Sequence, residues 1–354
     1  MHSLMWLPLA TSVLLCLTAS RLGRWLPPAT AVPVLTVAAL VSALSTGFVL
    51  AVAAFVVLAQ VPSVAALGHW SVAVVRHGHL VPVAAGVVAG VAVALLSTSA
   101  VWRAVRAGRD LALAARLCHQ LGPAVAGLVV VQDDIPDAYA LAGLRGRVVV
   151  STAMLQALPA DERAVLLAHE AAHLSRRHHV YGQIVELAAA ANPLLRSTAR
   201  AVGTAVERWA DEVAAAEVGD RRLAARALAR AGLARSEAAQ DGGRSRQPVA
   251  RGAALAAVDA HVGHRIRALL SPPPRRRPAL SAMVVALTVA SGAAVLVTEQ
   301  VTEARFELAQ VAYDHPSHPL HRVEGVHGPR TLSWPGPWTT AMAAPCLTEC
   351  RERA

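Results

Sequence analysis

His169, Glu170 and His173 fall in the run His169-Glu170-Ala171-Ala172-His173, an H-E-x-x-H pattern. On a helix, residues four apart share one face a turn apart, so the two imidazoles can hold one metal ion. Glu170 lies roughly 100° around such a helix from His169, close enough to reach a water at that ion. A carboxylate there can take the water's proton as it attacks a carbonyl carbon. A zinc ion supplies Lewis acidity and lowers the pKa of its water towards about 7. The chemistry is metal-assisted hydrolysis, with Glu170 as catalytic base.

A catalytic zinc takes three protein ligands and keeps one position open. Glu207, in Glu207-Arg208-Trp209-Ala210-Asp211, is the candidate for the third. It lies in an alanine-rich stretch without proline, residues 201–218, that reads as a helix. Asp211, four residues on, shares its face and could accept a hydrogen bond from a ligand histidine, fixing that ring's tautomer. The helix carrying the histidines has its own signals. Pro159 suits a helix start, Asp161 and Glu162 suit the positive end of its dipole, and Val165, Leu166 and Leu174 supply an apolar stripe.

With both clusters in hand, the chain resembles the membrane zinc metallopeptidases of the BlaR/MecR type, and more distantly those of the HtpX and CAAX prenyl protease type. Both combine H-E-x-x-H with a later E-x-x-x-D. By position, the resemblance implies one Zn2+ held by His169, His173 and Glu207, with Glu170 as base and Asp211 behind the ligands. It covers about residues 110–270 plus the flanking spans. Arg147 to Ser151 resembles the strand that precedes the active-site helix in such enzymes, and His264 to Leu270 resembles their closing R-I-x-x-L stretch. The sensors proper carry a large penicillin-binding domain after the last span, whereas residues 298–354 follow it here, so β-lactam sensing is not implied. Zinc peptidases of this kind stabilise the oxyanion with Tyr, His or Arg, which leaves Tyr139, His264 and Arg265 open as candidates.

The bulk composition points to a bilayer. Hydrophobic residues make up 55% of the chain, and the mean hydropathy is +0.45, above that of soluble domains. Aromatic residues are 4%, so buried surfaces must be built from Ala, Val and Leu. The net charge of +10 comes from arginine alone, since lysine is absent. Those arginines flank apolar runs, which fits topology bias and anionic lipid headgroups rather than nucleic acid.

Four stretches read as membrane spans, at about residues 3–19, 31–61, 80–101 and 279–298. The first has no basic leader, so it reads as a span rather than a cleaved signal peptide. Gly86 and Gly90 in the third give a small-xxx-small spacing suited to close helix packing. Arg21, Arg24, Arg103, Arg106, Arg109 and Arg275-Arg276-Arg277 fall in the segments that the positive-inside rule assigns to the cytoplasm. The expected protein is a multi-pass plasma-membrane protein with its N-terminus outside. Its helix-rich α+β zincin-like metallopeptidase domain, residues 103–278, is inserted between the third and fourth spans and faces the cytoplasm. Residues 299–354 form a short extracytoplasmic tail.

Within the insert, residues 128–132 and Arg147 to Ser151 read as two strands joined by a turn-rich connection, the second an exposed edge to which a peptide could add. Residues 236–251, rich in Gly, Gln, Ser and Arg, read as a loop over the site. His178 and His179 are assigned to a basic membrane-facing edge. His315, His318, His321 and His327 are assigned to an irregular tail. Cys16 and Cys118 read as small buried residues. Cys346 and Cys350 could pair in an oxidising compartment.

The function that follows is a zinc endopeptidase cleaving a protein at the cytoplasmic membrane face, in regulatory signalling with a transcriptional repressor as one substrate class. A quality-control protease of the HtpX type and a non-catalytic zinc-bearing scaffold are the alternatives. A structural zinc site has no need of Glu170, and a transporter would need polar residues within its spans.

Overall fold

The computed structural model describes residues 6–77, 81–121, 124–125, 127–142, 146–241, 262–273 and 275–314. The protein is mostly helical. Among the described residues, three helices are long and apolar enough to cross a membrane: α2 (Pro28–Leu58), α5 (Val83–Gln120) and α12 (Pro278–Asp314). They match the second, third and fourth expected spans. The first, at 3–19, falls on α1 (Leu7–Trp25), which has Pro8 in its first turn and carries Arg21 and Arg24 towards its end. Those two charges keep α1 out of the long apolar set.

The spans run further than the apolar stretches alone indicate. At 1.5 Å per residue, α5 with 38 residues is about 57 Å long, nearly twice the thickness of a hydrocarbon layer. Its second half, with Arg103, Arg106 and Arg109, continues as a rod past the apolar segment. Likewise α12 continues to Asp314, so the expected tail begins as helix. The tail histidines from His315 onward, Cys346 and Cys350 lie outside the described residues.

Gly86 explains how α5 meets α2. A Cβ at Gly86 would collide with Val57 and the Ala53 carbonyl, and one at Gly90 would touch Ala54 at 3.5 Å. The small-xxx-small spacing is therefore a packing seam. Beyond α2, two short helices, α3 (Pro62–Gly68) and α4 (Val72–His77), lead back to α5.

After α5 comes a small sheet of three strands rather than two: β1 (Leu128–Val131), β2 (Ala138–Leu141) and β3 (Arg147–Ser151), in the order β1-β3-β2. β3 pairs parallel with β1 and antiparallel with β2. The Arg147–Ser151 strand is thus central and not an edge, which corrects the expectation. The residues taken for a turn-rich connection supply the missing strand, and β2 takes the edge position.

Five helices follow. The short α6 (Thr152–Ala157) is capped by Ser151, whose Oγ accepts from the Met154 N–H. Next come α7 (Ala160–Ser175), α8 (His178–Ala191), α9 (Arg196–Val218) and α10 (Arg221–Asp241). A short helix at 262–270, here α11, precedes α12. The expected loop at 236–251 is helical as far as Asp241, and its remainder lies outside the described residues.

The insert does not stand apart from the spans. α8 packs on α2 and α5, and α9 packs on α1 and α2. One apolar core unites Leu22 and Leu26 at the end of α1, Val32 and Leu35 of α2, Val185 of α8, and Val202 and Val206 of α9. Polar groups tie α9 and the turn between α8 and α9, at Asn192, to α1 and α2. Asn192 Nδ2 donates to Ser12 Oγ at 2.9 Å, and Ser12 Oγ lies 3.1 Å from Thr46 Oγ1. Buried Arg208 donates to the Gly23 carbonyl at 2.8 Å. A second core joins Val165 of α7 to Ala214, Ala224, Ala227 and Leu269. A third places Val150, Met154, Leu158 and Leu166 beneath the sheet.

Candidate metal centre

α7 begins after Pro159, with Asp161 and Glu162 in its first turn. Glu162 is buried and pairs with Arg230 of α10 at 3.0 Å, so it ties two helices besides favouring the helix start. Val165 and Leu166 turn inward as the apolar stripe requires. This fixes the rotation of α7 and sends His169, Glu170 and His173 into a cavity of about 470 Å³ between α7, α9, α10 and β2.

Here the separated sequence clusters meet. His169 Nε2 and His173 Nε2 lie 3.2 Å apart. Glu207 on α9 closes the triangle, with Oε2 3.7 Å from His169 Nε2 and Oε1 3.7 Å from His173 Nε2. These are the three donors whose ligand atoms converge on one point among the described residues. Tetrahedral zinc with bonds near 2.05 Å spaces its ligands about 3.3 Å apart, so two imidazoles and a carboxylate at these distances fit that ion.

The outer nitrogen of each histidine is also engaged. His169 Nδ1 lies 3.1 Å from Asp211 Oδ1, the contact expected of a carboxylate that fixes the ring's tautomer. His173 Nδ1 lies 3.2 Å from Nδ1 of His178. Both Nε2 atoms are thereby left facing Glu207.

Arg265 of α11 binds the two carboxylates together. Its Nε donates to Asp211 Oδ2 at 2.8 Å and its Nη2 to Asp211 Oδ1 at 2.6 Å, while Nη1 lies 3.0 Å from Glu207 Oε2. Nη2 is also 3.4 Å from His169 Nε2. Of the three candidates for oxyanion stabilisation, Arg265 and Tyr139 line the cavity and His264 is not among its lining residues. The Arg265 guanidinium is already engaged by both carboxylates.

The charges respond to this crowding. Burial works against the proton on His169, but its hydrogen bonds to Asp211 and Glu207 outweigh that and lift its pKa to about 9. Burial lowers His173 to about 4. For Glu207, burial is overcome by the His169 hydrogen bond and the Arg265 charge, which hold it at about 2. Burial raises the Glu170 pKa, a shift in the direction that suits a proton acceptor near neutrality.

Three cavity-lining residues are assigned elsewhere or passed over in the sequence. His178 is buried beside His173 and against Trp209, not at a membrane-facing edge. His179 lines the cavity with it. After α7, Arg177 takes a left-handed φ of 52°, which reverses the chain and returns His178 to His173, a turn that no glycine or asparagine announces in the sequence. Arg235, next to the stretch taken for a loop, lines the cavity and donates to the Ala138 carbonyl at 2.9 Å.

No curated protein and no solved structure matches the chain. The model of peptidase family M48 matches residues 106–327, more than half of the sequence. That region holds α7, α9 and α11, and with them every donor described above. With both histidines, the intervening glutamate and the carboxylate of α9 gathered at one cavity, the chain belongs to peptidase family M48, metallopeptidases that include the BlaR and HtpX types.

Proposed function

We propose that this metallopeptidase is a zinc endopeptidase that holds its ion on His169, His173 and Glu207 and cuts protein chains at the cytoplasmic face of the plasma membrane. The observation that carries the reading is the triangle of donors 3.2, 3.7 and 3.7 Å apart, with Glu170 lining the same cavity.

A bound zinc supplies Lewis acidity and an acidified water. The chain supplies the rest. Glu170 takes the proton of the attacking water and passes it to the departing amine nitrogen. Asp211 holds His169 in the tautomer that leaves Nε2 free. Arg265 neutralises Asp211 and Glu207 together. Tyr139 and Arg265 remain the cavity-lining candidates for the oxyanion.

The substrate's path follows from β2. The Ala138 carbonyl accepts from Arg235, and the Ala140 N–H donates to Glu170, so both groups point away from β3. A peptide can pair with this edge once Arg235 yields, which brings its carbonyls past Glu170. Val165, Leu166, Leu228 and the small side chains of Ala214, Ala224 and Ala227 line the cavity. They favour an apolar side chain next to the scissile bond.

Orientation rests on the arginines. Arg277 at the start of α12 lies over the Trp25 ring, 5.6 Å from its centroid, and Arg208 reaches the end of α1 at Gly23. The arginine-rich ends of the spans and the metal centre therefore share one side of the bundle, which the positive-inside rule puts in the cytoplasm. A regulatory setting, with a transcriptional repressor as substrate, is the proposed biological role.

The test is the purified full chain beside Glu170→Gln. Wild type should carry about one zinc per chain by metal analysis, and E170Q should keep the metal, lose proteolysis and trap a polypeptide that can be identified by mass spectrometry. Trapping of lipid alone, with no polypeptide cut by wild type, overturns the reading.

A further inference from the structure

We infer that His178 is a positioning residue that keeps the proton of His173 on Nδ1 and so sets how tightly the centre grips its ion. The inference rests on the metal reading above and names a part of the same centre.

His178 is the first residue of α8 and is 2% exposed. Arg177 before it, at φ 52° and ψ 42°, folds the chain back so that the His178 ring stands across the His173 ring at 88°, with centroids 4.9 Å apart. Its other neighbour is Trp209, also at 4.9 Å. Trp209 lies on α9 between Glu207 and Asp211. His178 is thus clamped between the helix that brings two donors and the helix that brings the third.

The contact that matters is the 3.2 Å approach of the two Nδ1 atoms. Two neutral imidazoles facing each other through Nδ1 share a single proton. With that proton on His173, His173 Nε2 keeps its lone pair and can bind an ion. With the proton on His178, His173 must carry its own on Nε2, and that lone pair is lost. An ion at the triangle selects the first arrangement, and His178 makes it available by offering a bare Nδ1 as acceptor.

The rest of His178 has no competing task. Its Nε2 is buried without a hydrogen-bond partner among the described residues, so the contact to His173 is its one polar engagement there. A histidine retained only to fill space would be replaceable by a ring of the same size. The two ligands are also supported differently, since His169 leans on a carboxylate and His173 on an uncharged ring.

The experiment compares zinc affinity, by competition with a chromophoric chelator, for the full chain and for H178F, H178Q and H178N. Phe keeps the ring against Trp209 and removes the acceptor. Gln places its amide near the Nε2 position and away from His173. Asn places an amide oxygen where Nδ1 stood. H178F and H178Q should bind zinc about 10–100-fold more weakly, the usual effect of losing such an outer partner. H178N should stay within about threefold of wild type. Wild-type affinity in H178F or H178Q overturns the inference, as does an H178N as weak as H178F, which would mark a packing role. Failure of the wild-type chain itself to bind zinc removes the metal reading instead.

Discussion

Arg265 grips Asp211 through two parallel hydrogen bonds, Nε to Oδ2 at 2.8 Å and Nη2 to Oδ1 at 2.6 Å. Both partners are buried. The fork links α11 to α9, and through the contact of Asp211 with His169 it reaches α7. One guanidinium therefore holds three helices around the metal centre.

Removing that guanidinium leaves the buried Asp211 carboxylate and the half-buried Glu207 carboxylate without their arginine. Arg265→Ala should cost about 3–5 kcal/mol of stability, and Arg265→Lys should recover only a fraction, because an ammonium cannot form the fork. Thermal unfolding of the metal-free protein measures both. A wild-type midpoint for R265A would show that the fork carries no stability.

The metal-free centre has a directional pH dependence. His169 is raised from 6.5 to about 9, so its contribution is complete below the unfolded value and is lost as pH climbs through about 9. Glu207 is lowered to about 2 and His173 to about 4. Their contributions are present above the unfolded values and are lost as pH falls through the folded ones. Between pH 7 and 10, His169 is the one of the three that titrates. The melting temperature of metal-free protein should fall across that window, and His169→Asn should flatten the slope.

Zinc must displace the His169 proton. Its affinity should therefore rise by about tenfold per pH unit between pH 6.5 and 8.5, measured by chelator competition. In Glu207→Gln the ion loses a charged donor, and the carboxylates that hold the His169 proton are reduced to Asp211. Binding should weaken by at least about 100-fold and its pH slope should shrink. Unchanged affinity in E207Q would remove Glu207 from the ligand set.

Gly86 offers a test far from the chemistry. A Leu there meets Val57 and the Ala53 carbonyl, so it must push α5 away from α2. Overpacking of this kind costs about 1–3 kcal/mol, and Gly86→Leu should lower the melting temperature while leaving zinc stoichiometry at one. Gly47, whose added Cβ meets nothing within 4 Å, is the matched control as Gly47→Ala.

The candidate metal donors stand out in the sequence as two pairs because each pair is local. His169 with His173, and Glu207 with Asp211, are joined by helical periodicity, which fixes their shared faces before any tertiary structure forms. What brings the pairs together is Arg265 and the apolar rotation of α7, and of these only the stripe leaves a periodic trace. β2 was missed because Ala138-Tyr139-Ala140-Leu141 is half alanine, a poor strand former. Which strand holds the edge depends on pairing order, which no local pattern encodes. α8, at 14 residues, is too short to read as a span, so its insertion among the spans left no hydropathy signal. His178 was misplaced because its role depends on the turn at Arg177, a non-glycine residue in the left-handed region.

The hydrogen bond from Arg208 to the Gly23 carbonyl, one residue from Glu207, has a kinetic consequence. A catalytic fragment cut free of α1 and α2 would lose the partners of Val202 and Val206 along with that bond, so under the proposed function the enzyme works only while joined to those two helices. Under that function it meets its targets by sideways diffusion in two dimensions. Turnover should then follow the density of substrate held on the same sheet of lipid rather than its total amount in the cell. On the same proposal, a target released from that surface should escape cleavage even when its scissile sequence is intact.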